Sequence, residues 1–159
     1  MTELFRQVLL CYMDDDPDAT TLFKKRYGML PKEFISHNYQ QIQKICKGRY
    51  SRPFVIYRGL YFTSHQKLTA FLSFISNGYL IENTITSWTY DFPTAHLFSH
   101  YRPLTVERSY GCIISTSIIP TQVISLREFK NSKYKEFEYI LPPGKYKVDI
   151  IDYDLLIKE

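Results

Sequence analysis

Phe54-Val55-Ile56-Tyr57-Arg58-Gly59-Leu60-Tyr61 is the stretch from which the fold is read. β-Branched and aromatic residues crowd it, which is the signature of a strand. Arg52-Pro53 stands directly before it and marks a change of character. Upstream, the periodicity is helical. Leu4, Phe5, Val8, Leu9 and Tyr12 fall on one helical face. A second helix is expected over Asp18 to Met29, with Gly28 at its end. A third starts at Pro31, carries Ile35, Tyr39, Ile42 and Cys46, and stops at Gly48. These fifty residues show no catalytic spacing and read as packing material with ligand-rim contacts.

Downstream of Tyr61, strands dominate. Ser64 caps a helix carrying Leu68, Phe71, Leu72 and Ile75, closed by Asn77-Gly78. Ile85 to Tyr90 is expected to be a strand and Pro93 to Ser99 a short helix. Gly111 to Ile119 is a β-rich run ended by Pro120, and Val123 to Leu126 a brief strand. Glu136 to Leu141 is a strand, Pro142-Pro143-Gly144 a turn, and Tyr146 to Tyr153 a last strand. Helices first and strands later argue for α+β rather than a parallel βαβ sheet. The expected organisation is a single domain over 1–159, helical over 1–50 and β-rich over 52–159.

The chain is 159 residues long and 45% hydrophobic, enough to bury a sizeable core. Aromatic residues make up 16%, with fourteen Tyr, eleven Phe and one Trp. Such a composition suits a Tyr-rich core, or an aromatic-lined cleft for a planar ligand. The net charge of +4 is carried by scattered Lys and Arg, so it points only weakly to nucleic acid. Asp14-Asp15-Asp16 with Asp18 reads as a solvated turn ahead of a helix. Cys11, Cys46 and Cys112 lie far apart, without metal-ligand spacing, and are expected to be reduced thiols in a cytoplasmic compartment. The apolar run at Leu9-Leu10 is too short for a signal peptide or a membrane span. No metal and no membrane partner are expected.

Chemistry concentrates in three places. On a strand, residues two apart point the same way, so Glu136 and Glu138 share one face with Cα atoms roughly 6–7 Å apart. Phe137, Tyr139 and Leu141 line the other face. Paired carboxylates are tolerated on an exposed edge. The apolar strand signals that follow make this strand central, and there the pair suggests a cleft with a task. Arg58 sits among apolar neighbours and must be paired, either with an acid such as Glu138 or with a phosphate that suits its planar fork. Gly59 beside it permits close approach of a ligand to the backbone. In Thr86-Ser87-Trp88-Thr89, alternation puts Ser87 and Thr89 on one face, as a polar outer surface over Trp88 or as hydroxyls that orient a carboxylate.

In this order, the three blocks resemble the Arg-Ser-Glu class of mono-ADP-ribosyltransferases, the arginine-specific toxin and bacteriophage type. The resembling residues are Tyr57-Arg58-Gly59; Ile85-Thr86-Ser87-Trp88-Thr89 with Asp91, Ala95 and Phe98 following; and Glu136-Phe137-Glu138 running into Ile140-Leu141-Pro142-Pro143-Gly144. They span about residues 52 to 150. The last block is the most specific. Ser115-Thr116-Ser117 also spells the family's usual middle motif. It is set aside because isoleucine pairs flank it, it lies only about twenty residues before the glutamates, and it lacks the helix with Ala95 and Phe98.

The resemblance implies a fold with N-terminal helices packed on a two-sheet β core, and NAD as co-substrate. It implies transfer of ADP-ribose to an arginine of a target protein. Glu138 would stabilise the ribose oxocarbenium ion, Ser87 would fix the Glu138 rotamer, and Glu136 would hold and deprotonate the acceptor arginine. Tyr57, Arg58, Gly59 and Thr89 would bind NAD, Arg58 at its phosphates. The Leu126 to Lys135 loop would face the protein substrate, with Lys133 where relatives often carry an aromatic and with Tyr134 and Phe129 nearby. Tyr101, Arg102 and Arg108 are candidates for a second phosphate-side loop. Other readings are an NAD glycohydrolase, transfer to a nucleic-acid group, and an inactive NAD-binding module.

Overall fold

The computed structural model describes residues 3–14, 16–126 and 138–153. The architecture is α+β with a mostly antiparallel sheet. Contacts divide the chain into two compact units. The first comprises residues 1–52, 82–87 and 119–144; the second comprises 53–81, 88–118 and 145–159. The change of character at Arg52-Pro53 is therefore a boundary, but the helical part takes its own strands from later in the chain.

In the first unit the chain begins with α1 (Glu3–Asp14), α2 (Pro17–Tyr27), α3 (Pro31–His37) and α4 (Tyr39–Ile45). The acidic run does a local job: Asp16 Oδ1 accepts from the Asp18 N–H at 3.0 Å, and Pro17 follows at the first helical position. Gly28, at φ 76°, ends α2 by donating its N–H to the Lys24 carbonyl at 2.8 Å. The expected single helix from Pro31 is broken at Asn38. Its backbone leaves helical values, at φ −112° and ψ 22°, and its side-chain amide donates to the Phe34 carbonyl at 2.9 Å beside its own N–H at 3.1 Å. Val8, Leu9, Ile35, Ile42, Ile85, Ile124 and Ile140 form a buried cluster here, closed by Phe23 and Leu126. Each such side chain contributes roughly 1.5–3 kcal/mol by leaving water. The strands of this unit lie in the order β5 (Ile124–Ser125), β6 (Glu138–Leu141), β3 (Thr86–Thr89). β3 contributes Thr86 and Ser87 to this unit and Trp88 and Thr89 to the other.

The second unit has the strand order β3, β1 (Phe54–Phe62), β4 (Tyr110–Ile118), β8 (Asp149–Tyr153). β1 pairs with β4 along its whole length, from Phe54 opposite Ile118 to Phe62 opposite Tyr110. Two helices accompany it: α5 (His65–Phe74), capped by Ser64 Oγ accepting from Lys67 N–H at 3.2 Å, and α6 (Phe92–Ser99), capped by Asp91. A strand pair absent from the sequence reading, β2 (Tyr79–Glu82) with β7 (Gly144–Lys147), forms a second small sheet. The expected last strand is accordingly two, β7 and β8, separated at Val148, whose N–H donates to the Gly78 carbonyl at 2.8 Å.

α6 presses on the sheet through glycines. A Cβ on Gly59 would lie 1.8 Å from the Ala95 carbonyl oxygen, and one on Gly111 would lie 2.2 Å from that of Ser99. The close approach at Gly59 is thus made by the chain's own helix. We expect Gly59→Ala to cost about 3 kcal/mol or more, since backbone must move. Gly28→Ala meets nothing within 4 Å and costs only its left-handed φ of 76°, about 1–2 kcal/mol. Urea unfolding of the two variants checks the ranking.

Candidate functional site

Glu138 opens β6, and every residue of that strand is buried. Its own exposure is 6%, and Oε2 is shielded from solvent. Among the described residues it is the one carboxyl side chain in the buried polar set, whose other members carry hydroxyls. β6 lies inside the sheet between β5 and β3, so the central position expected for the glutamate strand is found. Glu136, Phe137 and the whole of Phe129 to Lys135 lie outside the described residues.

Hydrogen bonds tie the Glu138 strand and its neighbour β5 into the unit. The Glu138 carbonyl accepts from the Leu126 N–H at 2.9 Å. Tyr39 of α4 places its hydroxyl between the paired residues Ile124 and Ile140: it donates to the Ile140 carbonyl at 2.6 Å and accepts from the Ile124 N–H at 3.1 Å. One phenol thereby binds a backbone group on each of two paired residues. The Ser125 N–H donates to the Cys46 carbonyl at 2.6 Å, tying the end of α4 to β5. Burial pushes the Cys46 thiol up, so it is a protonated packing residue rather than a nucleophile.

Ser87, in the same unit, is half-buried on β3 between buried Thr86 and Trp88. Its hydroxyl is hydrogen-bonded to the hydroxyl of Tyr12 on α1. Tyr12 belongs to the apolar face of α1 and packs against the core cluster. Sequence reasoning counted it only as part of that face. The available signal was a hydroxyl on a stripe of aliphatic and Phe side chains, because a buried tyrosine usually finds a polar partner.

In the second unit, Tyr57 stands opposite Thr89 across β1 and β3, so these two share a sheet face. Arg58 points to the other face, where its guanidinium carbon lies 6.0 Å from the centre of the Trp88 ring. The four residues grouped as NAD-binding thus divide between two faces. Tyr57 meets Phe92 edge-to-face at 5.5 Å. Thr89 Oγ1 accepts from the Asp91 N–H at 3.1 Å, and Asp91 Oδ2 accepts from the Thr94 N–H at 3.1 Å and its hydroxyl at 2.6 Å. Thr89 is therefore part of the cap that starts α6.

Arg102 donates to the carbonyls of Val106 at 3.2 Å and Glu107 at 3.0 Å, bracing its own loop, while Arg108 lies 4.8 Å over the Tyr110 ring. Tyr101 rests on Tyr61 at 4.8 Å. Ser115 and Thr116 are buried in mid-strand, and the Thr116 hydroxyl donates to the Lys147 carbonyl at 2.8 Å. A cavity of about 940 Å³ in the first unit is bordered by Ser36, His37, Lys44, Thr121 and the Pro142-Pro143 turn that follows Glu138.

Among the described residues, no group of three or more His, Cys, Asp or Glu can hold a metal ion, and no helix is long and apolar enough to cross a membrane. No family model, curated protein or solved structure matches this chain.

Tyr39→Phe removes the shared hydroxyl and leaves one N–H and one carbonyl without it. We expect a loss of about 2 kcal/mol, the range for an abandoned buried backbone group. Chemical denaturation measures it, and a loss below about 0.5 kcal/mol would show that water or a ladder bond replaces the phenol.

Proposed function

We propose that this chain is an arginine-specific mono-ADP-ribosyltransferase, moving ADP-ribose from NAD to an arginine side chain of a target protein and releasing nicotinamide. The observation that carries the reading is Glu138, a carboxylate buried on an interior strand at the position that the resemblance assigns to catalysis. We extend the proposal to the fold, with N-terminal helices on a two-sheet β core of the transferase type, and to cytoplasmic action, where NAD is available.

In the reaction, the bond from the ribose C1′ to the pyridinium nitrogen breaks and its electron pair leaves with neutral nicotinamide. No general acid is needed. The positive charge left on the ribose is what must be stabilised. Glu138 opposes that charge and accepts a hydrogen bond from the ribose 2′-hydroxyl. Burial strengthens this interaction, since a carboxylate removed from water acts through a lower dielectric. Ser87 fixes the carboxylate, and Arg58 presents its guanidinium to the NAD phosphates. Glu136 holds the incoming guanidinium and takes its proton as the new bond to C1′ forms.

Two variants test the division of labour. Glu138→Gln keeps the shape without the charge, and we expect nicotinamide release to fall well over tenfold, more than about 1.4 kcal/mol. Retention of a tenth or more of the parent rate would remove Glu138 from catalysis. Glu136→Gln is expected to release nicotinamide slowly while failing to label arginine, because water needs less help than a guanidinium. Both rates are measured on one preparation with labelled NAD. Equal survival of both makes Glu136 a bystander, and joint collapse places it at the ribose. Nicotinamide release with no labelled acceptor at any residue makes the parent an NAD glycohydrolase. Label recovered on nucleic acid identifies the other acceptor class.

A further inference from the structure

Ser87 has one hydroxyl proton and an oxygen that accepts. A carboxylate at neutral pH only accepts. If Ser87 serves Glu138, its proton is committed to that carboxylate, and any other hydrogen bond to Ser87 Oγ must come from a donor. The hydroxyl found on Ser87 is that of Tyr12, and a phenol is a ready donor. Tyr12 is well placed to be a fixed one. It lies on α1 four residues beyond Val8 and three beyond Leu9, both fully buried, and its ring packs on the cluster that includes Ile85 and Ile140. Ile85 stands two residues before Ser87, and Ile140 two after Glu138. The same core that seats the phenol therefore seats both strands.

Resting on the transferase reading, we infer that Tyr12 is a positioning residue of the Ser87–Glu138 pair: its hydroxyl donates to Ser87 Oγ and so turns the Ser87 proton toward the Glu138 carboxylate. A chain of donors running one way polarises each member, and the carboxylate at its end is held in one rotamer. On this assignment Tyr12 acts only through Ser87. Its effect falls on the rate of bond cleavage and not on NAD affinity.

The test is steady-state nicotinamide release by the parent, Tyr12→Phe, Ser87→Ala and the double variant. Rates are normalised to the fraction of protein that binds NAD by calorimetry, so that a partly unfolded variant loses binding stoichiometry rather than kcat. We expect Tyr12→Phe to lower kcat about tenfold with KM for NAD within twofold of the parent. The double variant should be no slower than Ser87→Ala alone, because residues that act through one another are not additive. A parent-like kcat in Tyr12→Phe overturns the inference. So does a double variant slowed by the product of the two single effects, which would mean that Tyr12 acts apart from Ser87. A parent that binds NAD yet releases no nicotinamide sinks the transferase reading itself, and the inference with it. If Tyr12→Phe abolishes NAD binding altogether, Tyr12 is a structural residue and the positioning role is lost.

Discussion

The hydroxyl of Tyr39 stands in the ladder between β5 and β6, and the strand that carries Glu138 is held through it. β5 is two residues long and β6 is four. So short a pair has little hydrogen bonding of its own, and it sits at the β5 end of the sheet order. Support comes from α4, which supplies the phenol near its start and the Cys46 carbonyl at its end. The break at Asn38 belongs to the same arrangement, since it ends α3 and lets Tyr39 begin a new helix. The break at Asn38 thus puts the phenol at the first position of α4, from which it reaches β5 and β6.

The break at Asn38 was not legible in the sequence, but much of the rest of the fold was, for a definite reason. Helix ends are local events: Gly28, Ser64 and Asp16 each act on backbone groups within four residues. β1 and β4 are long apolar runs whose β character does not depend on the partner. β2 was not legible, and neither was the division between β7 and β8. Both depend on pairing between segments some sixty residues apart and on the Val148 to Gly78 bond. Gly59 was read as leaving space for a ligand, and its space is filled by the Ala95 carbonyl. A glycine reports that something comes close, and sequence does not say what. Thr89 was read with Arg58, yet the register opposite Tyr57 turns the two to different faces, and register is a property of the pair of strands.

The far end of the second unit shows how an exposed edge is controlled. β8 is last in the strand order and exposed along its length. Its register against β4 slips between Ile113 and Ile114, leaving Ile151 as the extra residue of a bulge. The slip brings Asp149 and Asp152, opposite Ser115 and Ile113, onto one face. A bulge and two like charges discourage another strand from adding there. Ile150, Ile151 and Tyr153 are therefore exposed on an edge that is poor at pairing.

That contrast bears on Glu138. Asp149 and Asp152 sit in water, where a carboxylate costs nothing and blocks unwanted pairing. Glu138 sits at 6% exposure among apolar strand neighbours. Removing a carboxylate from water costs several kcal/mol, and even a good ionic partner often only offsets that cost. An apolar side chain of similar volume would serve the core better, as Tyr139, Ile140 and Leu141 do on the same strand. On the proposed transferase reading, the charge serves the reaction rather than the core. What a desolvated carboxylate does well is oppose a cation that forms beside it, with no surrounding water to reorganise. A ribose oxocarbenium ion is such a cation.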